Sequence, residues 1–268
     1  MEPMRLIPRS FDIIGSREKA VAIVEIPPDL RDFEEGVAKA IMERHKNVKS
    51  VLVKESERLE EYRIRRYRVL AGDPDTEVVH REAGCLFKLD PQKVYFSPRE
   101  GAERMRIAEK VRDGEKILVM FSGVCPYPIV IAKRHEKVRI IAVESNPHAH
   151  NYCVENIHLN RVQDKVIALL GDVRDICPTL GSTFDRIVMP LPKGAYQFLD
   201  LAIPLLNCGG VVHFYHWARE PDLFSKAKEI LSTASERFGR RAEFLEEVRV
   251  SQYSPRVWKV RVDARILC

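Results

Sequence analysis

The chain has 268 residues, of which 31% are charged and 45% hydrophobic, and its formal net charge is +5. This length accommodates a large core plus a small accessory domain, and the composition excludes wholly disordered, collagen-like and fibrous chains. No apolar run approaches the roughly 20 residues that cross a bilayer, and residues 1–10 lack the apolar stretch of a signal peptide. We therefore expect a globular cytoplasmic protein with no membrane partner.

The N-terminal part, residues 1–95, predicts a small α+β domain. Apolar segments at 20–26 and 49–54 are typical of strands in a sheet core, and residues 32–45 between them predict a helix. Residues 77–90 predict a hairpin that turns at Gly84. An arginine-rich segment lies between the second strand and this hairpin.

The C-terminal part, residues 96–268, alternates strands with helices. Strands are predicted at 116–121, 138–144, 165–170, 185–190 and 210–217, with an antiparallel pair at 243–253 and 256–266. Helices are predicted at 99–112, 126–134, from Asn146 and Pro147 onward, near 173–179, at 199–206 and at 221–238. This alternation predicts an α/β fold with a doubly wound, mostly parallel sheet.

Ligands of such sheets bind beyond the carboxyl ends of the strands, so functional residues are expected in the loops that follow them. To bind a nucleoside cofactor, the backbone of the loop after the first strand must approach the cofactor closely. An acidic side chain after the second strand must accept hydrogen bonds from the ribose hydroxyls. Gly123 and Glu144 stand at these places, although a single glycine does not make a dinucleotide motif. Asp172 is placed to meet an adenine amino group, or it belongs to an ordinary turn.

The chain has six cysteines, at positions 85, 125, 153, 177, 208 and 268. They form no Cys-x-x-Cys pair and have no metal-spaced histidines nearby, so we interpret them as reduced thiols. His148 and His150 are two positions apart on a predicted helix and point to different faces, so no metal site is expected.

Arginines cluster in two stretches, residues 58–68 and 99–106. Such clusters suit a polyanionic partner, and a solvated charged face is the alternative that this pattern leaves open.

Six motifs occur in order along the chain: KVYFSPREGAERMRIAEKV, MFSGVCPY, IAVESNP, ENIHLN, DRIVMPLPKGAYQFLDLA and SPRVWKVRVD. Together they resemble the Met-10+-like methyltransferases, the archaeal-type tRNA (guanine-37 N1) methyltransferases with their wyosine-pathway relatives. The resemblance extends over residues 13–262.

The resemblance implies a class I, Rossmann-like methyltransferase domain that binds S-adenosyl-L-methionine, preceded by a small domain that helps to hold tRNA. The implied partner is the tRNA anticodon stem-loop, and we expect a monomer. The implied acceptor is N1 of guanine 37, and the resemblance leaves open a second role on a tricyclic intermediate of wyosine biosynthesis. By motif match, Glu103 is the general base, Arg99 assists at the target base and Tyr95 lies near the flipped nucleotide. The residues alone favour a helix-surface glutamate paired with Arg106 or Arg99, and only the motif match favours the general base.

The remaining site residues follow from the same motifs and loops. The cofactor site is predicted to comprise Arg104, Phe121, Ser122, Gly123, Glu144, Ser145, Asn146, Asp172, Val173 and Pro190. Arg63 or Arg65 of the small domain, together with Pro192, is predicted to contact the substrate.

Three positions depart from the family pattern. Val119 replaces an aspartate at the end of the first strand, Cys125 replaces a loop glycine, and Pro190 replaces the asparagine of an Asn-Leu-Pro tripeptide. Each change removes a polar contact or loop flexibility, so weaker cofactor binding or a remodelled site is expected. The further N-terminal domain that many family members carry is also not found before residue 13.

Three other functions remain open. A wyosine-pathway relative transfers the aminocarboxypropyl group of the same cofactor, and the departures are compatible with a non-catalytic tRNA-binding paralogue. A small-molecule methyltransferase is the third, and the arginine clusters argue against it.

Overall fold

A computed structural model describes residues 8, 10–55 and 66–268 of the chain. The chain divides into two compact units, Met1–Pro98 and Arg99–Cys268. Among the described residues, no helix is both long and apolar enough to cross a membrane.

The first unit is a small α+β unit. Its four-stranded sheet has the order β1-β2-β3-β4, with β1 Phe11–Gly15, β2 Ala20–Val24, β3 Val48–Lys54 and β4 Tyr67–Gly72. Helix α1, Glu34–Arg44, joins the parallel pair β2 and β3 and buries Val37, Ala38 and Ile41 against the sheet.

The predicted hairpin is present in the same unit. Strands β5, Val78–Glu82, and β6, Cys85–Leu89, pair antiparallel. Ala83 and Gly84 both have positive φ, as a tight two-residue hairpin turn requires, so the predicted turn at Gly84 is confirmed.

The second unit contains a seven-stranded sheet of order β12-β13-β11-β10-β7-β8-β9. Its strands are β7 Lys116–Met120, β8 Arg139–Glu144, β9 Val166–Leu170, β10 Phe184–Met189, β11 Leu206–Arg219, β12 Arg241–Ser254 and β13 Val257–Leu267. Its helices are α2 Gly101–Lys110, α3 Pro126–Arg134, α4 Pro147–Leu159, α5 Val173–Ile176, α6 Leu199–Leu205 and α7 Ser225–Glu236. Strands β7 to β11 run parallel, and β13 and β12 complete the sheet antiparallel, which confirms the predicted fold class.

Apolar side chains from these parallel strands form the main core together with α6 and α7. Helices cover both faces of these strands, so the middle of each strand is apolar on both sides. In β7, for example, residues 117–120 are all fully buried.

Two predicted boundaries were wrong. Helix α7 begins at Ser225 rather than 221, because the preceding residues form a turn in which the Asp222 carboxylate accepts hydrogen bonds from the Phe224 and Ser225 amides. Strand β11 extends from Leu206 to Arg219, beyond the predicted 210–217, because β13 pairs with it continuously from Gly210 to Arg219.

The interpretation of all six cysteines as reduced thiols was also wrong. The structure contains the disulfides Cys125–Cys153 and Cys208–Cys268, while Cys85 and Cys177 are free and buried. The paired cysteines are 28 and 60 residues apart in sequence. The contact of the loop before α3 with α4 and the pairing of β11 with β13 bring them together. Local spacing carries no sign of such pairs.

Candidate functional site

The loops that follow β7, β8 and β9 are tied to one another at the carboxyl edge of the sheet. The Ser122 amide donates to the Val143 carbonyl at 2.9 Å, and the Gly171 amide donates to the Glu144 carbonyl at 2.9 Å. Parallel strands place these loops at one edge, where doubly wound folds bind their ligands.

Glu144 is at the centre of this edge. Its Oε2 accepts from the Gly123 amide at 2.7 Å, and its Oε1 accepts from the Asn146 amide at 2.9 Å. Burial raises the pKa of the Glu144 carboxyl, although these backbone donors oppose the rise. Each carboxylate oxygen has a second lone pair, so Glu144 retains the capacity to accept from ribose hydroxyls.

The loop between β7 and α3 is open beside this carboxylate. Gly123 has a φ of +57°, and a Cβ atom built there would meet no atom within 4 Å. Cys125 has a φ of +67° and immediately precedes α3, so it adopts the left-handed conformation that a glycine adopts at lower cost. Its disulfide to Cys153 of α4 fixes the loop in this form.

The other predicted cofactor residues of these loops lie around the same edge. Asn146 caps α4, because its side chain accepts from the His148 amide, and Ser145 is exposed beside it. Asp172 caps α5 and also binds Arg174, whose hydrogen bonds lower the pKa of the Asp172 carboxyl. Val173 is buried, and Phe121 packs its ring against Phe198 at 5.0 Å.

Two of the departures from the family pattern have a clear place in the structure. Val119 is fully buried in β7, between Ala142 of β8 and Val188 of β10, where its apolar side chain packs in the sheet. Pro190 is partly exposed directly after β10, and Pro192 is buried. Proline has no side-chain hydrogen-bond donor, so this turn offers none at position 190.

Glu103 is not an exposed helix glutamate: only 2% of its surface is accessible. Its Oε1 accepts from the Tyr215 hydroxyl at 2.6 Å and from Arg261, and its Oε2 accepts from Arg106 at 3.2 Å. All three partners are donors, so the carboxylate acts as an acceptor in this arrangement. Of the two arginines proposed from sequence as its partners, the structure pairs it with Arg106.

A buried polar row continues from Glu103 across one face of the sheet. Arg261 forms an ion pair with Asp263 at 2.7 Å, and Asp263 Oδ1 lies 2.6 Å from His213 Nδ1. Arg186 donates to His213 Nε2 at 2.7 Å, which leaves the His213 proton on Nδ1 facing Asp263. Burial lowers the pKa of His213, consistent with this neutral ring.

Sequence reasoning missed Tyr215 and Arg261, which hold Glu103. Burial raises the pKa of the Tyr215 hydroxyl well above its usual range, so it remains a donor, and it accepts in turn from Tyr127 at 3.2 Å. The signal in the sequence is the alternation of polar residues in β11 and β13, with His213 and Tyr215 on the first strand and Lys259, Arg261 and Asp263 on the second.

The remaining predicted residues are distributed as follows. Arg104 is buried on α2, and Arg99 is exposed immediately before Glu100. Tyr95 is partly buried in the first unit, after the hairpin. Arg63 and Arg65 lie outside the described residues, and among those described no group of three or more histidine, cysteine or acidic side chains is placed to hold a metal ion.

The geometry combines two kinds of chemistry in one unit. An acid beside an open glycine loop suits a nucleoside-containing cofactor, so the residues present fit S-adenosylmethionine. A buried carboxylate that is fixed in place can accept a proton from a substrate that displaces one of its donors.

Comparison with known proteins identifies clear similarities. Residues 78–243 match the family described as the TRM5/TYW2 methyltransferase domain, and residues 1–76 match the TYW2 N-terminal domain. The chain is 42% identical to the tRNA (guanine(37)-N(1))-methyltransferase Trm5b of Pyrococcus abyssi, over 99% of this chain and 77% of that protein. It is 32% identical to the tRNA(Phe) (4-demethylwyosine(37)-C(7)) aminocarboxypropyltransferase of Methanocaldococcus jannaschii, over 88% of this chain and 92% of that protein.

Solved structures are similar over nearly the whole chain. Trm5b from Pyrococcus abyssi has a TM-score of 0.87 at 41% identity and covers 100% of this chain and 78% of its own. A complex of aTrm5 with tRNALeu has a TM-score of 0.84 at 32% identity, with 98% and 73% covered. TYW2 of P. horikoshii in complex with MeSAdo has a TM-score of 0.84 at 29% identity, with 99% and 94% covered.

Proposed function

The chain belongs to the TRM5/TYW2 methyltransferase family and is an S-adenosylmethionine-dependent transferase, and from this premise we propose that it methylates N1 of guanine 37 in tRNA. The proposal rests on the surroundings of Glu103, which lies on α2, the first helix of the second unit. Its carboxylate is buried and accepts hydrogen bonds from the donors described above. The 42% identity to Trm5b supports the choice of reaction.

The chemistry of the acceptor atom, guanine N1, explains why a carboxylate is needed. Guanine N1 carries a proton, so its electron pair can attack a methyl group only if a base takes that proton in the same step. When bound, S-adenosylmethionine supplies a methyl group on a sulfonium sulfur, and that sulfur leaves with the electrons of the broken bond as a neutral thioether. The N1–H electron pair forms the new N1–C bond, and the proton passes to Glu103.

The neighbours of Glu103 assign a role to each oxygen. Tyr215 and Arg261 hold Oε1 from the sheet, while Oε2 meets only Arg106 among the contacts described above, and the Arg106 side chain is half exposed. Oε2 is therefore the oxygen that receives the proton. Arg99, exposed one residue before the buried Glu100, offsets the negative charge that develops on the base oxygen.

The cofactor is held at the carboxyl edge of the sheet. Glu144 accepts from the ribose hydroxyls, the loop at Gly123 allows close approach, and Asp172 and Val173 face the adenine. Arg104, Phe121, Ser122, Ser145, Asn146 and Pro190 complete the proposed cofactor site. Tyr95, Pro192 and either Arg63 or Arg65 are proposed to contact the flipped nucleotide or the anticodon stem-loop.

A second candidate is transfer of the aminocarboxypropyl group, as in the TYW2 relatives. It is favoured by the match of residues 1–76 to the TYW2 N-terminal domain and by the absence of the asparagine at Pro190. Arg99 and the retained Leu191–Pro192 favour methyl transfer.

Two differently labelled cofactors distinguish these reactions. The protein is incubated with tRNA and S-adenosylmethionine labelled either in the methyl group or in the carboxyl group, and the nucleosides are analysed by mass spectrometry. Methyl transfer incorporates only the first label. Incorporation of the carboxyl label instead would overturn the methyltransferase proposal, and incorporation of neither would overturn both.

A further inference from the structure

Strand β11 carries the polar row beyond Glu103 toward the carboxyl edge. Tyr215, Trp217 and Arg219 alternate along the strand and so face the same side of the sheet. Tyr215 donates to Glu103, and Trp217 lies two residues further, about 7 Å along the strand. The surface around Trp217 therefore continues directly from the proposed catalytic carboxylate.

Trp217 forms an aromatic pair with Tyr253 of β12. Their ring centroids are 4.6 Å apart at an interplanar angle of 47°, and Tyr253 is 55% exposed. Trp217 of β11 pairs with Lys259 of β13. The pairing of β12 with β13 is irregular around Tyr253, and the Tyr253 ring reaches across Lys259 to Trp217.

Lys259 connects the pair to the proposed catalytic region. Its Nζ lies 4.7 Å from the centre of the Tyr215 ring and donates to Glu100 at 2.9 Å. The order on this face is therefore Glu103, Tyr215, Lys259 and then the Trp217–Tyr253 pair. This continuity places the aromatic pair beside the proposed catalytic carboxylate.

Two exposed arginines flank the pair. Arg219 ends β11, and Arg256 occupies the turn between β12 and β13. The nearby carboxylates serve local structure. Glu220 accepts from the Trp258 indole and lies 3.9 Å from Arg256, and Asp222 accepts from the Phe224 and Ser225 amides. Aromatic rings beside arginines are the combination that binds unpaired nucleotides, through stacking and phosphate contacts.

We propose that Trp217 and Tyr253 form a stacking surface for an unpaired base of the RNA substrate next to the target nucleotide, with Arg219 and Arg256 contacting its backbone. The proposal rests on the proposed function, because it takes the partner to be the tRNA that presents its base to Glu103. It adds a binding surface on the second unit, made by β11, β12 and their adjoining turns.

Binding of a fluorescently labelled anticodon stem-loop tests this surface. Tyr253→Ala is expected to raise the dissociation constant about tenfold, because one stacking contact is lost. Tyr253→Phe keeps the ring and is expected to remain within about twofold of the unchanged protein. The matched control is Phe244→Ala, which removes an exposed ring from the same strand near its opposite end and is expected to have no effect.

Tryptophan fluorescence supplies a second readout that does not depend on affinity. The chain has two tryptophans, so Trp258→Phe leaves Trp217 as the single indole. Stacking predicts that the stem-loop quenches this emission, and that Tyr253→Ala reduces the quenching at saturating RNA.

The outcomes separate this surface from the proposed function. If the unchanged protein binds and methylates the RNA while Tyr253→Ala binds equally well and Trp217 emission does not respond, the stacking surface is wrong and the function stands. If the unchanged protein neither binds the stem-loop nor modifies tRNA, the proposed function is overturned together with the surface.

Discussion

The two oxygens of Glu103 have different surroundings, and this difference decides what the side chain can do. Oε1 is fixed by Tyr215 and Arg261 on the sheet, whereas Oε2 meets Arg106, whose side chain is half exposed. A shift of the Arg106 side chain would open Oε2 to a substrate without disturbing the buried contacts. The carboxylate is thus held in place from one side and covered by Arg106 on the other.

Replacing Glu103 with glutamine removes the proton acceptor while conserving shape. We expect kcat for methyl transfer to fall at least about 100-fold, because the loss of a general base typically costs that much, while the dissociation constant for tRNA stays unchanged. Single-turnover kinetics and a filter-binding assay measure the two quantities.

Glu109→Gln is the matched control for this variant. Glu109 is an exposed glutamate on the same helix, so its replacement is expected to leave kcat within about twofold. Full activity of the Glu103 variant would show that another group takes the proton.

Glu144 makes the cofactor site sensitive to pH. Its raised pKa means that, as pH falls, it takes up a proton at a higher pH than an ordinary glutamate does. Because the ionised carboxylate is the better acceptor for ribose hydroxyls, affinity for S-adenosylmethionine should weaken as pH falls through that pKa. Asp172 has a lowered pKa and stays ionised over the same range.

Calorimetric titration of Glu144→Gln with S-adenosylmethionine tests this assignment. Loss of a charged hydrogen-bond acceptor is expected to weaken binding about tenfold at neutral pH, and the pH dependence between neutral and mildly acidic solution should disappear. A variant that keeps the pH dependence of the unchanged protein would assign it to another group.

At the scale of elements, the sequence predicts the parallel part of the sheet well because several signals agree. The apolar run of β7, the Asn146 cap followed by Pro147, and the proline that opens α3 all act locally, and the structure has these elements within one or two residues. The position of the ligand-binding loops at the carboxyl ends of these strands follows from the strand direction alone.

The support of Glu103 could not be predicted in the same way. Tyr215 is 112 residues from Glu103 in sequence and Arg261 is 158 residues away, so only the assembled sheet brings them to α2. The charged residues of β13 look like a solvent-exposed face in the sequence. In the structure Arg261 and Asp263 are buried, and Arg261 forms ion pairs with Glu103 of α2 and with Asp263.

The Cys125–Cys153 disulfide is expected to stabilise the element pair α3 and α4. It closes a loop of 28 residues, for which the chain-entropy model gives about 3.5 kcal/mol. The double variant Cys125→Ser/Cys153→Ser should therefore lower the melting temperature by about 10 °C. Calorimetry measures the shift, and mass spectrometry of the non-reduced parent protein verifies that the disulfide is present. An unchanged melting temperature of the double variant would then contradict the expectation.

At the scale of the whole molecule, the net charge of +5 understates the local charge available to RNA. Arginines concentrate in residues 58–68 and 99–106, and the end of β11 and the turn after β12 add Arg219 and Arg256. Charge at these places can meet phosphates while the rest of the surface remains balanced.

Salt titration of the tRNA interaction tests this distribution. With about three phosphate contacts, a rise from about 50 to about 200 mM salt should increase KM for tRNA about 40-fold, because bound counterions are released on association. KM for S-adenosylmethionine should change far less under the same conditions. A KM for tRNA that is insensitive to salt would argue against a polyanionic substrate.

The family relationship covers the whole chain, whereas the reaction is proposed from the site. Relatives with either transferase activity are similar in sequence and fold, so overall similarity alone does not choose between methyl and aminocarboxypropyl transfer. The choice depends on the acceptor atom and on the groups around Glu103.

Nucleoside analysis of two tRNA transcripts, one with guanine and one with adenine at position 37, tests the central claim most directly. After incubation with methyl-labelled S-adenosylmethionine, we predict labelled N1-methylguanosine in the first transcript and no label in the second. Equal labelling of both transcripts, or a labelled nucleoside other than N1-methylguanosine, would contradict the account.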